Sequence, residues 1–127
     1  MTKPPLNMQK IRMELAREPG HPQGSAQDGY ELVAPLGADG RIDADAWQSE
    51  AGRCRVRRFR ARAADRLGKL ARDADGQWFF DYDEETDEDD EAGFRLGEER
   101  FVIGEYVSVK DEDGRMRTYR VIAVDPL

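Results

Sequence analysis

The chain has 127 residues, a length that fits one domain, with 39% hydrophobic and 37% charged residues and a formal net charge of −7. A single cysteine excludes an intrachain disulfide, and one cysteine with one histidine cannot supply the soft ligands of a zinc site. The first 17 residues lack the apolar core of a secretory signal, and no stretch is apolar enough to span a membrane, so we expect a cytoplasmic protein.

Alternating apolar residues predict two strands in the N-terminal third. Residues 11–15 alternate apolar with other side chains, as a half-buried strand does, although Met8, Ile11 and Leu15 would also suit one face of a helix. Residues 30–36 (YELVAPL) are typical of a second strand.

An irregular loop and one short helix are predicted around these strands. Residues 17–29 are rich in proline, glycine and serine, a composition that favours irregular structure. Near 44–51 we expect a helix with Asp43 as its N-cap and Gly52 as its end. Trp47 would anchor that helix to the sheet.

The segment 53–60 (RCRVRRFR) indicates an arginine-rich strand with Cys54 and Val56 on one face. Its alternation breaks at Arg57 and Arg58, which favours a β-bulge there.

Two Asp-Gly turns predict hairpins, because both residues tolerate the positive φ of a type I′ turn. One turn (73–76) joins 68–72 to 77–83, and the other (111–114) joins 105–110 to 115–124. In the first hairpin, one face would carry the aromatic residues Trp78, Phe80 and Tyr82. Together these patterns predict an all-β, mainly antiparallel fold: a small barrel or sandwich of about seven short strands in a single domain over 1–127.

Two resemblances add to this interpretation. The segments ELAREPGHPQGS, GYELVAPL, WFFDYD, DDEAGFRLGE and GEYVSVKDEDG resemble a family of small uncharacterised bacterial (proteobacterial-type) proteins. That resemblance implies a bacterial source and assigns no activity and no catalytic residues. The last third, ERFVIGEYVSVKDEDGRMRTYRVIAV, resembles SH3-like small barrels, which implies a fold alone.

No pattern in the chain is typical of an enzyme. His21 lies in a loop, and no serine has the G-x-S-x-G pattern of a nucleophile elbow. Cys54 with His21 would in principle form a thiolate pair, but a cysteine on a strand is more often a small core residue. We therefore expect no catalytic residue and no cofactor.

An acidic run follows the aromatic strand, with nine acidic residues and no basic one in 81–91. Asp87, Asp89, Glu91 and Glu98 match the spacing of the carboxylates in a calcium loop, but position six is Ala92 and the glycine comes one residue late. Weak binding of a divalent cation through 81–98 stays open. The other interpretation is a charged, mobile loop over 84–93 that exposes Glu84, Glu85, Asp87, Glu88, Asp89, Asp90 and Glu91.

The preceding block is strongly basic: residues 51–72 carry nine basic groups and one acidic group, a net +8. Arginines around an aromatic side chain suit a phosphate backbone and stacked bases, so a nucleic-acid or partner surface is predicted at Arg53, Arg55, Arg57, Arg58, Phe59, Arg60 and Arg62. An acidic chain of pI about 4.8 argues against nucleic acid. A further hypothesis is that the basic and acidic blocks neighbour each other in the fold and compensate each other's charge.

The preferred prediction is a non-catalytic β module that binds a macromolecular partner, most readily another protein. The alternatives are a nucleic-acid-binding barrel that uses the arginine-rich strand and a weak divalent-cation binder.

Overall fold

Antiparallel strands dominate the structure, a computed structural model that describes residues 8–18, 20, 22–82, 91–92, 99–110 and 115–127. In this part of the chain the strands are β1 (Met8–Leu15), β2 (Ser25–Pro35), β3 (Arg55–Arg60), β4 (Ala63–Arg72), β5 (Trp78–Tyr82), β6 (Glu91–Ala92), β7 (Tyr106–Lys110) and β8 (Met116–Pro126). Helix α1 spans Ala44–Glu50, and a 3-10 turn over Ala51–Arg53 follows it. The predicted all-β fold is confirmed, with eight strands among the described residues rather than about seven.

One sheet contains all eight of these strands, in the order β6-β5-β4-β3-β2-β1-β8-β7. Every neighbouring pair is antiparallel, and consecutive strands pair from β1 through β6. The chain then crosses to the other side, where β7 pairs with β8 and β8 pairs with β1. The sheet curls into a half-barrel, and the edge strands β6 and β7 approach each other to Cα distances within 8 Å.

Aromatic rings in the interior show how far the sheet curls. Tyr30 of β2 has no exposed surface, and its ring centroid lies 5.3 Å from that of Phe80 on β5 and 5.0 Å from that of Tyr119 on β8. Two strands separate β2 from β5 in the order of the sheet, so Tyr30 and Phe80 can meet only because the sheet rolls up. The result is one core, and the alternate residues of each strand face outward.

The predicted hairpins and helix are present. β4 and β5 pair as expected, and Trp78, Phe80 and Tyr82 are buried. β7 and β8 form the second hairpin, whose turn at 111–114 lies outside the described residues.

Helix α1 begins where the sequence predicted, because the Asp43 carboxylate accepts a hydrogen bond from the Ala46 amide at 3.1 Å. Trp47 anchors the helix as expected. Its indole Nε1 donates to the Leu70 carbonyl at 2.9 Å. Its ring packs edge-on against Trp78, with 5.0 Å between the two ring centroids.

The end of one predicted loop and the position of one predicted bulge were wrong. The irregular loop expected over 17–29 ends earlier, because β2 begins at Ser25. In β2, Ser25 pairs with Leu15 and Gly29 with Glu14, so the three residues between them bulge from the strand. The bulge expected at Arg57 and Arg58 lies slightly later, since the register with β4 shifts between Arg58 and Arg60.

The acidic loop predicted over 84–93 also needs a correction at its end. Glu91 and Ala92 form the short strand β6, whose backbone pairs with Phe80 and Phe79. Residues 83–90 and 93–98 lie outside the described part of the chain.

Candidate binding surfaces

The arginine-rich strand β3 lies inside the sheet, between β2 and β4, and its side chains divide between the two faces. Arg58 points inward and is 8% exposed, and its Nη1 donates to the Tyr30 hydroxyl at 2.6 Å. Arg66 stands opposite Arg58 in register, is 5% exposed, and places its guanidinium carbon 4.0 Å from the centroid of the Tyr82 ring. The sequence prediction omitted Arg66, although its alternation with Gly68 and Leu70 places it on the inner face.

On the outer face, Arg57 is held between two carboxylates. It forms ion pairs with Glu31 on β2 and with Asp65 on β4, the latter at 2.9 Å. The ring of Phe59 lies beneath the guanidinium groups of Arg12 and Arg57, whose central carbons are 4.3 and 5.4 Å from its centroid. Phe59 is therefore covered rather than presented for stacking.

The remaining predicted arginines lie toward the ends of β3. Arg53 forms an ion pair with Glu50 at 3.3 Å, and Arg60 donates to the Ala64 carbonyl at 3.2 Å. Arg55 is half-buried opposite Lys69, and Arg62 is exposed in the turn to β4. The seven residues predicted as one surface thus occupy both faces and both ends of a central strand.

Of the predicted acidic-loop residues, only Glu91 falls within the described residues, where its backbone forms part of β6. Glu84, Glu85, Asp87, Glu88, Asp89 and Asp90 lie outside, as does Glu98 of the calcium-loop match. Within the described ranges no group of three or more His, Cys, Asp or Glu side chains could hold a metal ion.

Cys54 is fully buried, and its Sγ donates to the Glu50 carbonyl at 3.3 Å. Burial, with a smaller contribution from the Glu50 carboxylate, raises the pKa of this thiol to about 11. A thiol with this pKa is protonated at neutral pH and is a poor nucleophile. His21, its conceivable catalytic partner, lies outside the described residues.

A cleft of about 510 Å³ lies on the outer side of β1 and β8, in a region that the sequence prediction did not identify. Tyr106 and Ile122 border it, 57% and 38% exposed respectively, and Thr118 and Arg120 line it from the same face of β8 as Ile122. From β1 and the following turns, the lining includes Glu14, Leu15, Ala16, Arg17, Gln23, Ser25 and Ala26. Strand alternation places Tyr106 and Ile122 outward because Val107 and Val121 are buried, so the outward apolar pair was readable from the sequence.

A second cleft of about 610 Å³ lies where the β3–β4 turn approaches the bulge in β2. Arg60 and Arg62 line it on one side and Gln27 and Asp28 on the other. Asp28 is already engaged, since its carboxylate accepts hydrogen bonds from the Ser25 hydroxyl at 2.8 Å and from the Ala61 amide at 3.4 Å. These bonds make the Asp28 carboxylate part of the local structure.

Among the residues that the structure describes, no helix is long and apolar enough to cross a membrane. Comparison with protein-family models, with curated proteins and with solved structures found no match to this chain. The resemblances to small bacterial proteins and to SH3-like barrels therefore stay predictions.

Proposed function

We propose that this protein is a non-catalytic binding module that engages a protein partner through the outer face of the β7–β8 hairpin. The Tyr106 surface is defined as Tyr106, Thr118, Arg120 and Ile122 together with the adjoining cleft. The observation that supports the proposal is a large exposed aromatic side chain at the rim of that cleft, beside an exposed isoleucine and an arginine. Tyrosine and arginine dominate the energetics of protein interfaces.

The two strands that carry the Tyr106 surface are held in place by the core on their other side. Val107 and Val121 are fully buried on the opposite side of the same two strands, and Tyr106 pairs with Arg120 in register. A surface fixed by a core loses little conformational entropy when a partner binds. Ile103, in the turn before β7, is 63% exposed and adds apolar area close to Tyr106 in the sequence.

The contacts of β3 favour a protein partner over nucleic acid. Arg57 is paired with Glu31 and Asp65, and Arg58 is turned inward to Tyr30. A phosphate backbone would have to compete with these carboxylates for Arg57 and would not reach Arg58.

Site-specific photo-crosslinking in cells tests the proposal. A photoreactive phenylalanine analogue replaces Tyr106 in one variant and Leu67 in the matched control. Leu67 is also exposed (52%), but it lies on β4, away from the hairpin. We expect a discrete crosslinked partner from position 106, weakened by a second change, Ile122→Ser, and none from position 67. Equal crosslinking at both positions, or none at 106, would contradict the proposal.

A further inference from the structure

We propose that the cleft of the Tyr106 surface accepts an acidic peptide segment of the partner protein. In this arrangement Arg120 and Arg17 bind carboxylates of the peptide, and an apolar side chain of the peptide packs between Tyr106 and Ile122. This inference rests on the proposed function and specifies the chemistry of the partner.

The charges that line the cleft favour an anionic ligand. Glu14 is its one acidic lining residue, and its carboxylate is held by Arg12 at 3.0 Å. The guanidinium of Arg120 forms no hydrogen bond or ion pair within the described part of the chain, although Arg120 lies opposite Glu14 in register. Arg17 uses its Nε to donate to the Pro22 carbonyl at 3.1 Å, and its terminal amino groups make no further hydrogen bond there. Among the described residues neither Arg17 nor Arg120 forms an ion pair, so the cleft presents two guanidinium groups to a ligand.

Apolar and charged side chains alternate on the surface of the cleft. On β8, Arg120 lies between Thr118 and Ile122, and Tyr106 is its neighbour across the hairpin. An arginine beside an exposed tyrosine and isoleucine suits a ligand that carries a carboxylate next to an apolar side chain. Such charge-assisted bonds between guanidinium and carboxylate are the stronger kind. A volume of about 510 Å³ falls within the range of clefts that hold ligands the size of a few residues.

Peptide is favoured over the other anionic polymer, nucleic acid, for two reasons. The cleft offers two cations, whereas the affinity of a nucleic-acid surface grows with the number of phosphates that it neutralises. Tyr106 is also the one aromatic residue among the described residues that line the cleft, which it shares with Ile122, and this lining matches an apolar anchor better than a stack of bases.

The test is an amide NMR titration of the folded, ¹⁵N-labelled protein with the heptapeptide Glu-Asp-Glu-Phe-Asp-Glu-Glu. We expect chemical-shift changes at Tyr106, Thr118, Arg120 and Ile122 and along the 14–17 segment. The same peptide with serine in place of phenylalanine should bind more weakly, and a peptide with lysine in place of each acidic residue should not bind. Arg120→Gln should weaken binding on the order of tenfold, as expected for the loss of a hydrogen bond to a charged group.

Arg120 is exposed, so the Arg120→Gln variant should fold, and its amide spectrum verifies this directly. Arg17→Gln provides a second, independent variant, and Leu67→Ala is the control that should bind like the parent protein. Unchanged affinity in both arginine variants would overturn the inference, as would stronger binding of the lysine peptide or equal shifts with a single-stranded oligonucleotide.

The crosslinking experiment separates the two proposals. A discrete partner at position 106, combined with no effect of the arginine variants on its capture or on peptide binding, would overturn the acidic-peptide inference and leave the proposed function standing. If position 106 captures no partner, both the proposed function and the acidic-peptide inference are contradicted.

Discussion

Arg58 Nη1 donates to the hydroxyl of Tyr30 at 2.6 Å, so a guanidinium inside the sheet meets the tyrosine at the centre of the core. Tyr30 bridges the curled sheet through its contacts with Phe80 and Tyr119. Its hydroxyl accepts a hydrogen bond from the Arg58 guanidinium, a cation that would otherwise be more costly to bury. This bond therefore connects the aromatic cluster of the core to a buried charged side chain.

Tyr30→Phe should destabilise the protein by about 1–3 kcal/mol, because it removes a hydrogen bond to a charged group and keeps the packing of the ring. The measurement is the free energy of unfolding from urea denaturation. Tyr106→Phe is the matched control, since Tyr106 is 57% exposed, and it should leave that free energy nearly unchanged. Equal effects of the two substitutions would contradict a specific role for the bond.

The alternation of buried and outward side chains made the strands predictable. It also shows why the arginine-rich surface was predicted incompletely. Val107, Val121 and Phe80 could be placed in the core because buried positions in a strand recur every second residue. The same rule places Arg58 and Arg66 inside, but an expectation that arginine is exposed competes with it. The contacts of Arg58 with Tyr30 and of Arg66 with Tyr82 show that both arginines lie inside, as the alternation predicts. These contacts become visible only in the folded structure.

The bulges and the cleft were harder to predict. Where β2 begins depends on its pairing with β1 at Leu15 and Ser25, a long-range contact that local composition does not encode. The cleft forms because the turns after β1 approach β8, and this juxtaposition also follows from pairing rather than from any motif. Sequence motifs therefore indicated the charged runs and gave no sign of the Tyr106 surface.

Gly68→Ala should be strongly destabilising, by about 1–3 kcal/mol or more, because an added Cβ would overlap backbone. It would collide with the Asp81 carbonyl oxygen and would lie 2.7 Å from the Cα of Tyr82 on β5. Gly52→Ala is the control, since no atom lies within 4 Å of its added Cβ, and we expect a change within about 0.5 kcal/mol. The measurement is the thermal unfolding of both variants, monitored by circular dichroism. A Gly68→Ala protein as stable as the Gly52→Ala control would refute the close approach of β4 and β5.

Asp43→Ala should cost about 1 kcal/mol of stability, because it removes the side-chain acceptor at the start of α1. Asp43→Ser should recover most of that loss, since serine is an equally good N-cap. Fluorescence offers a local readout, because Trp47 and Trp78, the two tryptophans of the chain, are in contact. If alanine and serine behave alike, then the cap does not hold the helix.

The hypothesis that the basic and acidic blocks compensate each other predicts that stability depends on salt. Glu84, Glu85, Asp87 and Glu88 lie outside the described residues, so this hypothesis stays a prediction. Exposed ion pairs contribute about 0–1 kcal/mol each and are screened by salt. The free energy of unfolding should therefore fall between low salt and 1 M sodium chloride. A variant with these four residues changed to Gln or Asn should show a shallower fall, whereas a stability indifferent to salt in the parent protein would count against the hypothesis.

Cys54 should make the protein lose stability in alkaline solution. Its thiol has a pKa of about 11 in the folded protein against 9.0 for an ordinary cysteine, so the folded state keeps a proton that the unfolded chain releases between these values. Stability from this group is complete below pH 9 and is lost as the pH rises toward 11, at up to about 1.4 kcal/mol for each pH unit. Cys54→Ser keeps a donor for the Glu50 carbonyl but does not titrate in this range, so its stability should vary less steeply with pH. Tyrosine and lysine titrations are common to both proteins and cancel in the comparison. Urea denaturation at half-unit intervals from pH 8 to 11 measures the difference, and parallel pH profiles for the two proteins would show that burial does not hold the thiol in its protonated form.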